Sequence, residues 1–449
     1  MKNVLLITQG CDKNTVDTEM IAGALAGRGL RSIGLSTWER SPEDLDAVVV
    51  NTCGFIDDAK QQSIDTILQW AEQREEMAAR PRLIVCGCLS QRYSDELTRE
   101  IPEVDAFFGV GAWDQIATFL DRNGDSEPAA IPKPDMRIDA RHLRLPLDGE
   151  PHRFLKISDG CNQKCTFCSI PSMKGRHRSA PLELLVEEAR DLIAGGAREI
   201  NLIAQDLTSY GVDMRDGTRL ADLVERLDAL EGDFWLRLFY AYPSRIDDRL
   251  IETLANAKHV VPYLDMPLQH ASTPVLRRMR RPGGQPEVEA LLEKLRAGIP
   301  DLVLRTTFIV GFPGETDQDF ETLTNFLETQ RFERVGAFRY QPQDATPSAN
   351  LPDQVPEEVR EERHQRLMET QQAIAGRVQA DRFRGIRLKA LIDRFDEESG
   401  HWRARTFADG PEIDGVTWVE AGADALQPGT FADVRVVDTD PYDMRAALD

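Results

Sequence analysis

Cys161, Cys165 and Cys168 form a C-x3-C-x2-C run, GCNQKCTFC, directly after a strand-like stretch, RFLKIS, at 153–158. Three thiolates at this spacing can grip three corners of a cubane iron–sulfur cluster and leave the fourth iron open. An open coordination site marks a reactive metal centre, whereas a structural one closes its shell. A structural zinc loop is the competing reading. It requires a fourth ligand, and the nearest candidate, His177, lies in a basic loop without paired spacing.

The other four cysteines are Cys11, Cys53, Cys86 and Cys88. NVLLIT (3–8), DAVVVN (46–51) and LIVCG (83–87) precede them, and each reads as a buried parallel strand. Cys11, Cys53 and Cys88 fall just past the carboxyl ends of these runs. In an open α/β sheet the loops beyond the strand C-termini converge on the ligand crevice, so three thiols distant in sequence should meet at one sheet edge. Cys86 sits inside its run and reads as a buried, apolar-type cysteine. Cys88, nearer the loop, is the expected ligand. A second three-cysteine site follows.

Positioning two such sites needs a large chain, and 449 residues suffice for two to three domains. Seven cysteines grouped in triads do not form a disulfide framework. Thiolates that hold iron need a reducing compartment, which points to the cytoplasm. MKNVLLITQGC reads as a first strand rather than a signal peptide, and no apolar stretch approaches a membrane span. The net charge of −22 opposes a main role in gripping phosphates and favours basic partners.

Residues 1–122 alternate strand and helix patterns. Helices are expected after Thr15 (stopped by Gly27 and Gly29), over 57–78 and over about 91–100, giving a doubly wound α/β domain. A Pro-, Asp- and Arg-rich stretch at 123–150 reads as a linker. Residues 151–378 hold six strand-like runs: RFLKIS, EINLIA, FWLRLFY, PYLDMPL, VLRTTFIV and RVGAFRY. Helical stretches at 181–194, 219–230, 245–257, 285–298 and 317–330 separate them, the last opened by a Thr316/Asp319 capping box. Six βα repeats are too few for an eight-fold barrel and predict an open partial (β/α)6 barrel. Its site should again lie at the strand C-termini.

Other strand ends fall at that mouth. Gln205 and Asp206 follow EINLIA, Gln269 and His270 follow PYLDMPL, and Gly311-Phe312-Pro313-Gly314 follows VLRTTFIV. A glycine turn leading into a helix lets backbone amides approach an anionic group. Gln205 reads equally as a ligand contact or a polar cap, and His270 as a satisfied polar residue. Residues 382–449 hold short β-rich runs between Gly and Pro turns, the pattern of a small β-barrel. That segment carries nine Lys/Arg against fourteen Asp/Glu, the reverse of an RNA-binding barrel.

In order, TQGCDKNTVDTE, NTCGFIDDAKQQS, VCGCLSQRY, GCNQKCTFC and FIVGFPGET resemble the methylthiotransferase family of radical S-adenosylmethionine (SAM) enzymes. The resemblance spans nearly the whole chain, including a C-terminal TRAM-type barrel. IPSMKGRHRSAP and ADGPEIDG (408–415) resemble the branch that modifies an aspartate of small-subunit ribosomal protein twelve. The alternative branch methylthiolates an adenosine in tRNA; it usually has a tyrosine where Ser172 stands and a more basic barrel. RHRSAP departs from the family's usual sequence after the cluster cysteines.

The resemblance implies two [4Fe–4S] clusters. Cys161, Cys165 and Cys168 would hold the SAM-binding one, and Cys11, Cys53 and Cys88 an auxiliary one that carries sulfur. SAM cleavage would generate a 5′-deoxyadenosyl radical, which takes hydrogen from an unactivated carbon, and a second SAM would supply the methyl group. Phe167, Gln205 and Gly311 would line the SAM site. The reaction also needs an electron donor and a sulfur source. The implied partner is a basic ribosomal protein rather than tRNA or a membrane, and nothing demands more than a monomer. An acidic barrel suits such a partner, with Asp409, Glu412 and Asp414 expected on its docking surface.

Overall fold

The computed structural model describes residues 2–35, 44–122, 130–134, 138 and 142–449. The expected linker at 123–150 therefore lies partly outside the described residues. Its last stretch is tied down: Arg144 pairs with Glu19 of the first helix and, at 2.8 Å, with Glu188 of the central segment.

The N-terminal apolar runs build a five-stranded parallel sheet ordered Arg31–Gly34, Asn3–Thr8, Ala47–Thr52, Arg82–Gly87, Ala106–Phe107. Ala47–Thr52 is buried along its whole length, as a parallel strand covered by helices on both faces must be. Strand order reverses between Asn3–Thr8 and Ala47–Thr52, and at such a switch point an α/β sheet opens its crevice. Two helices start earlier than the periodicity suggests, at Asp12 and Cys88. Each begins directly at a cysteine turn.

The central segment forms a six-stranded parallel sheet in strict chain order: His152–Lys156, Glu199–Ile203, Trp235–Leu238, Val260–Asp265, Val303–Val310, Arg334–Arg339. Sequential order sends every crossover helix to one side, so the sheet curves into an open barrel. The expected capping box is present, with Thr316 Oγ1 accepting from the Asp319 amide at 3.2 Å. A helix absent from the sequence reading, Glu357–Phe383, packs against the last strand and runs into the C-terminal barrel. It was hidden because Arg363, Gln371 and Gln379 share its buried face with Leu367, Ile374 and Val378, leaving no apolar stripe.

The C-terminal barrel is closed, in the order Arg387–Asp396, His401–Thr406, Thr417–Glu420, Met444–Leu448, Phe431–Thr439. Met444–Leu448, which the sequence reading also missed, closes it by pairing parallel to Thr417–Glu420 and antiparallel to Phe431–Thr439. Ion pairs dock the barrel on the central sheet. Glu199, fully buried, accepts from Arg237 Nε at 2.7 Å and pairs with Arg405 of the barrel. Arg334 pairs with Asp409 at 2.7 Å, and Tyr263 Oη donates to Asp414 at 2.6 Å. Two of the three acids expected on a docking surface are therefore consumed inside the protein. The Asp409 side chain is 1% exposed and that of Asp414 3%, whereas Glu412 remains 63% exposed. Arginines of the sheet demanded counter-charges at this seam, which the linear sequence does not display.

Burial pushes the Glu199 carboxyl up, but Arg405 and Arg237 outweigh it and hold the group at about 2. Its contribution is complete above the ordinary carboxylate range and is lost as pH falls from about 4.5 toward about 2. Glu199→Gln is expected to cost about 3–5 kcal/mol at neutral pH, because it leaves the buried Arg237 without a carboxylate and Arg405 with Asp393 alone. Urea unfolding should show the gap to the native protein narrowing below pH 4.5. An unchanged midpoint at neutral pH would remove this cluster from the docking of the barrel.

Candidate metal centre

Cys11 is the extended N-cap of the helix Asp12–Ala26, Cys53 follows the strand Ala47–Thr52, and Cys88 opens the helix Cys88–Glu100. All three leave the C-terminal edge of one sheet beside its switch point. The loops touch because two glycines allow it. A Cβ on Gly10, whose φ is +92°, would lie 2.6 Å from Cys53 Cβ, and one on Gly54 would lie 2.9 Å from Leu89 Cα. Cys88 lies within the electrostatic reach of Cys11 and Cys53. Cys86 points elsewhere: it is 2% exposed and packs in the apolar core with Val4, Leu6 and Ile84.

The second trio occupies one loop past the strand His152–Lys156. The Cys168 amide donates to the Cys165 carbonyl at 3.2 Å, and the Gln163 amide donates to Cys161 Sγ at 3.4 Å. Arg281 lies 3.9 Å from Cys165 Sγ and stacks on Tyr242, 4.1 Å from its ring centre. His177 is engaged away from the thiols, with Nε2 3.1 Å from Ser179 Oγ and 3.5 Å from Asp213.

The thiols suit a cluster in their chemistry. Burial pushes Cys161 up to about 11 and Cys168 and Cys88 up to about 12, and it raises Cys53 as well. Neutral thiols in such places become thiolates when bound iron supplies the compensating charge. Among the described residues no three Cys, His, Asp or Glu side chains crowd closely enough to share a single ion.

Between the two trios lies a cluster of four buried charges. Lys156 pairs with Asp17 and, at 3.0 Å, with Asp159; Lys174 reaches Asp17 at 2.8 Å and Asp159 at 3.9 Å. None of the four side chains is more than 7% exposed. Asp17 belongs to the first helix and the other three to the barrel mouth, so the quartet bolts one sheet edge over the other. Lys174 also exerts its charge on Cys88 and Cys53. Burial disfavours charge on Asp159, but the two lysines hold its carboxyl at about 2. At a second point of the seam, Arg92 donates to the Gly54 carbonyl at 3.0 Å and, across it, to Gln343 at 3.1 Å and the Asp344 carbonyl at 2.8 Å.

The expected SAM-lining residues are divided. Phe167 meets Phe312 of the glycine turn edge-on at 6.5 Å, in one apolar cluster with Met279 and Tyr340. The Gly311 amide donates to Glu315 at 2.8 Å. Gln205 donates to Asp159 at 3.1 Å, while its Oε1 is buried without a partner. His270 is fully buried, its Nδ1 accepting from the Ser272 amide at 2.9 Å and its Nε2 3.4 Å from Glu315. The sequence reading missed the quartet, Arg281, and a lysine–tyrosine pair, Lys13 and Tyr240. Lys156 carried a signal: a lysine in the apolar part of a parallel strand needs a buried partner.

Relatives agree with this architecture. The radical SAM superfamily profile matches residues 155–327, an uncharacterized family, UPF0004, matches 3–109, and a TRAM domain matches 385–448. The chain is 42% identical to a ribosomal protein uS12 methylthiotransferase from Geobacter sulfurreducens, over 99% of this chain and 98% of that one. It is 44% identical to a protein of the same name from Moorella thermoacetica, over 97% and 96%. Among solved structures, the radical SAM methyltransferase TsrM of Kitasatospora setae, determined with cobalamin and a [4Fe-4S] cluster, superposes with a TM-score of 0.59 at 16% identity. That match covers 78% of this chain and 77% of TsrM, and at this identity it establishes the fold. The chain belongs to the radical SAM proteins of the uS12 methylthiotransferase family.

Proposed function

We propose that this protein inserts a methylthio group at the β-carbon of an aspartate in ribosomal protein uS12. The observation that carries the reading is the juxtaposition of two thiol trios, each at the C-terminal edge of its own sheet, across one seam bolted by the Lys156–Asp17–Lys174–Asp159 quartet. The near full-length identity to uS12 methylthiotransferases supports the substrate. No side-chain base of ordinary pKa removes hydrogen from such a carbon. With one [4Fe–4S] cluster on Cys161, Cys165 and Cys168, a second on Cys11, Cys53 and Cys88, and SAM bound, the site would gain radical hydrogen abstraction and a sulfur supply.

The protein's own residues supply the rest. Phe167 offers an apolar face at the glycine turn, the Gly311 turn is held by Glu315, and Gln205 is held by Asp159. Arg281 places positive charge beside Cys165. The acidic surplus of the chain suits a basic protein substrate better than a nucleic acid. Reduced thiols fit a cytoplasmic enzyme.

Anaerobically reconstituted protein, given SAM, reductant and sulfide, should add a methylthio group to an aspartate of uS12 and leave unmodified tRNA unchanged, as read by mass spectrometry. Addition to adenosine alone would overturn the substrate assignment. Replacing Cys161, Cys165 and Cys168 by Ala should abolish SAM cleavage while about half the iron remains. Replacing Cys11, Cys53 and Cys88 should spare SAM cleavage but stop sulfur insertion. Gly10→Ala, which drives a methyl group into Cys53 in a left-handed backbone, should lower iron loading as that second replacement does. Full loading of Gly10→Ala would dissociate Cys53 from the cluster.

A further inference from the structure

Three lysines are buried among the described residues, Lys13, Lys156 and Lys174, and all three lie at the seam between the N-terminal sheet and the barrel mouth. Lys156 and Lys174 share two aspartates. Lys13 has one carboxylate, Asp12 at 3.0 Å, and Tyr240 as its other side-chain neighbour. An ammonium carries three donors. The Lys13 ammonium lies 3.0 Å from the centre of the Tyr240 ring, and its side chain is 7% exposed.

Tyr240 is itself unusual. It lies two residues past the strand Trp235–Leu238, at the barrel mouth, with a left-handed φ of +63° that a non-glycine residue rarely adopts. Asp265 accepts from its amide at 3.0 Å, Leu207 donates to its carbonyl at 3.1 Å, and its hydroxyl donates to Asp12 at 3.3 Å. Backbone strain of this kind collects at ligand clamps. Asp12 is pinned by three donors, from the Lys13 amide and ammonium and from Tyr240. Next to Lys13, Cys11 caps the 15-residue helix Asp12–Ala26 with no side-chain acceptor, so the positive helix end also faces this point.

We propose that Lys13, held over Tyr240, binds the side-chain carboxylate of the substrate aspartate and so presents its β-carbon beside Cys11. The inference rests on the uS12 reading and adds the recognition of the target residue to it. Charge-assisted recognition explains why an aspartate is taken: an asparagine in the same place leaves the buried ammonium without its second anion.

The test is a double-mutant comparison in SAM-loaded holoenzyme without reductant, so that no turnover occurs. Native enzyme and Lys13→Met are each titrated with uS12 and with uS12 whose modified aspartate is replaced by asparagine. Native enzyme should prefer aspartate by about 10- to 100-fold, and Lys13→Met should lose that preference while retaining iron content. Lys13→Gln, which keeps a hydrogen bond to Asp12, carries the same comparison if the methionine variant does not fold. An Asp-over-Asn preference unchanged in the variant overturns the role of Lys13 and leaves the uS12 reading intact. In a parallel assay with reductant and sulfide, native enzyme that does not modify uS12 at all overturns both.

Discussion

Lys156, Lys174, Asp17 and Asp159 are buried together where the first helix meets the barrel mouth, and the rest of the site depends on their mutual pairing. Taking four charges out of water is costly, and a buried ion cluster returns that cost only when its geometry is nearly ideal. The consequence is positional. Sliding one sheet edge over the other would leave at least one charge unpaired in a low dielectric, so the seam tolerates little displacement. The lysines keep Asp159 ionised far below neutral pH, and the cluster persists across the physiological range. Two thiol trios from separate domains are thereby held in a fixed relation across the seam.

A six-stranded sheet in sequential order cannot fill its own lumen as an eight-stranded barrel does. Its concave face is occupied by the other two domains. One apolar core joins Val16, Met20 and Trp113 of the N-terminal domain, Phe154, Trp235 and Val261 of the barrel, and Leu388, Trp402 and Val434 of the C-terminal barrel. The ionic seam of Glu199, Arg237 and Arg405 reinforces this core at the strand N-termini, opposite the mouth. The C-terminal barrel is therefore a fixed plug, and Asp409 and Asp414 are parts of its mounting.

Both thiol trios were legible in the sequence, for different reasons. Cys161, Cys165 and Cys168 announce themselves by local spacing. Cys11, Cys53 and Cys88 needed one inference, that apolar runs become parallel strands whose C-termini converge, and the sheet order puts them after three adjacent strands, the first two flanking its switch point. The long helix Glu357–Phe383 escaped because polar residues line its buried face, and the strand Met444–Leu448 because it is short and shows little alternation. The acids of ADGPEIDG misled for a related reason: sequence gives charge, not exposure.

The sequence by itself determined most of the element types, the radical SAM and TRAM character of the chain and the six thiols that are candidate ligands. Strand periodicity, turn glycines and cysteine spacing are local properties that act over a few residues. The tertiary structure alone decided which charges neutralise which: Asp17 with Lys156 across 139 positions, Glu199 with Arg405 across 206, and Asp409 with Arg334 across 75. Such pairings are fixed by desolvation, since a charge buried by the meeting of two domains must find its partner on the other side, and no local pattern in the chain encodes that meeting.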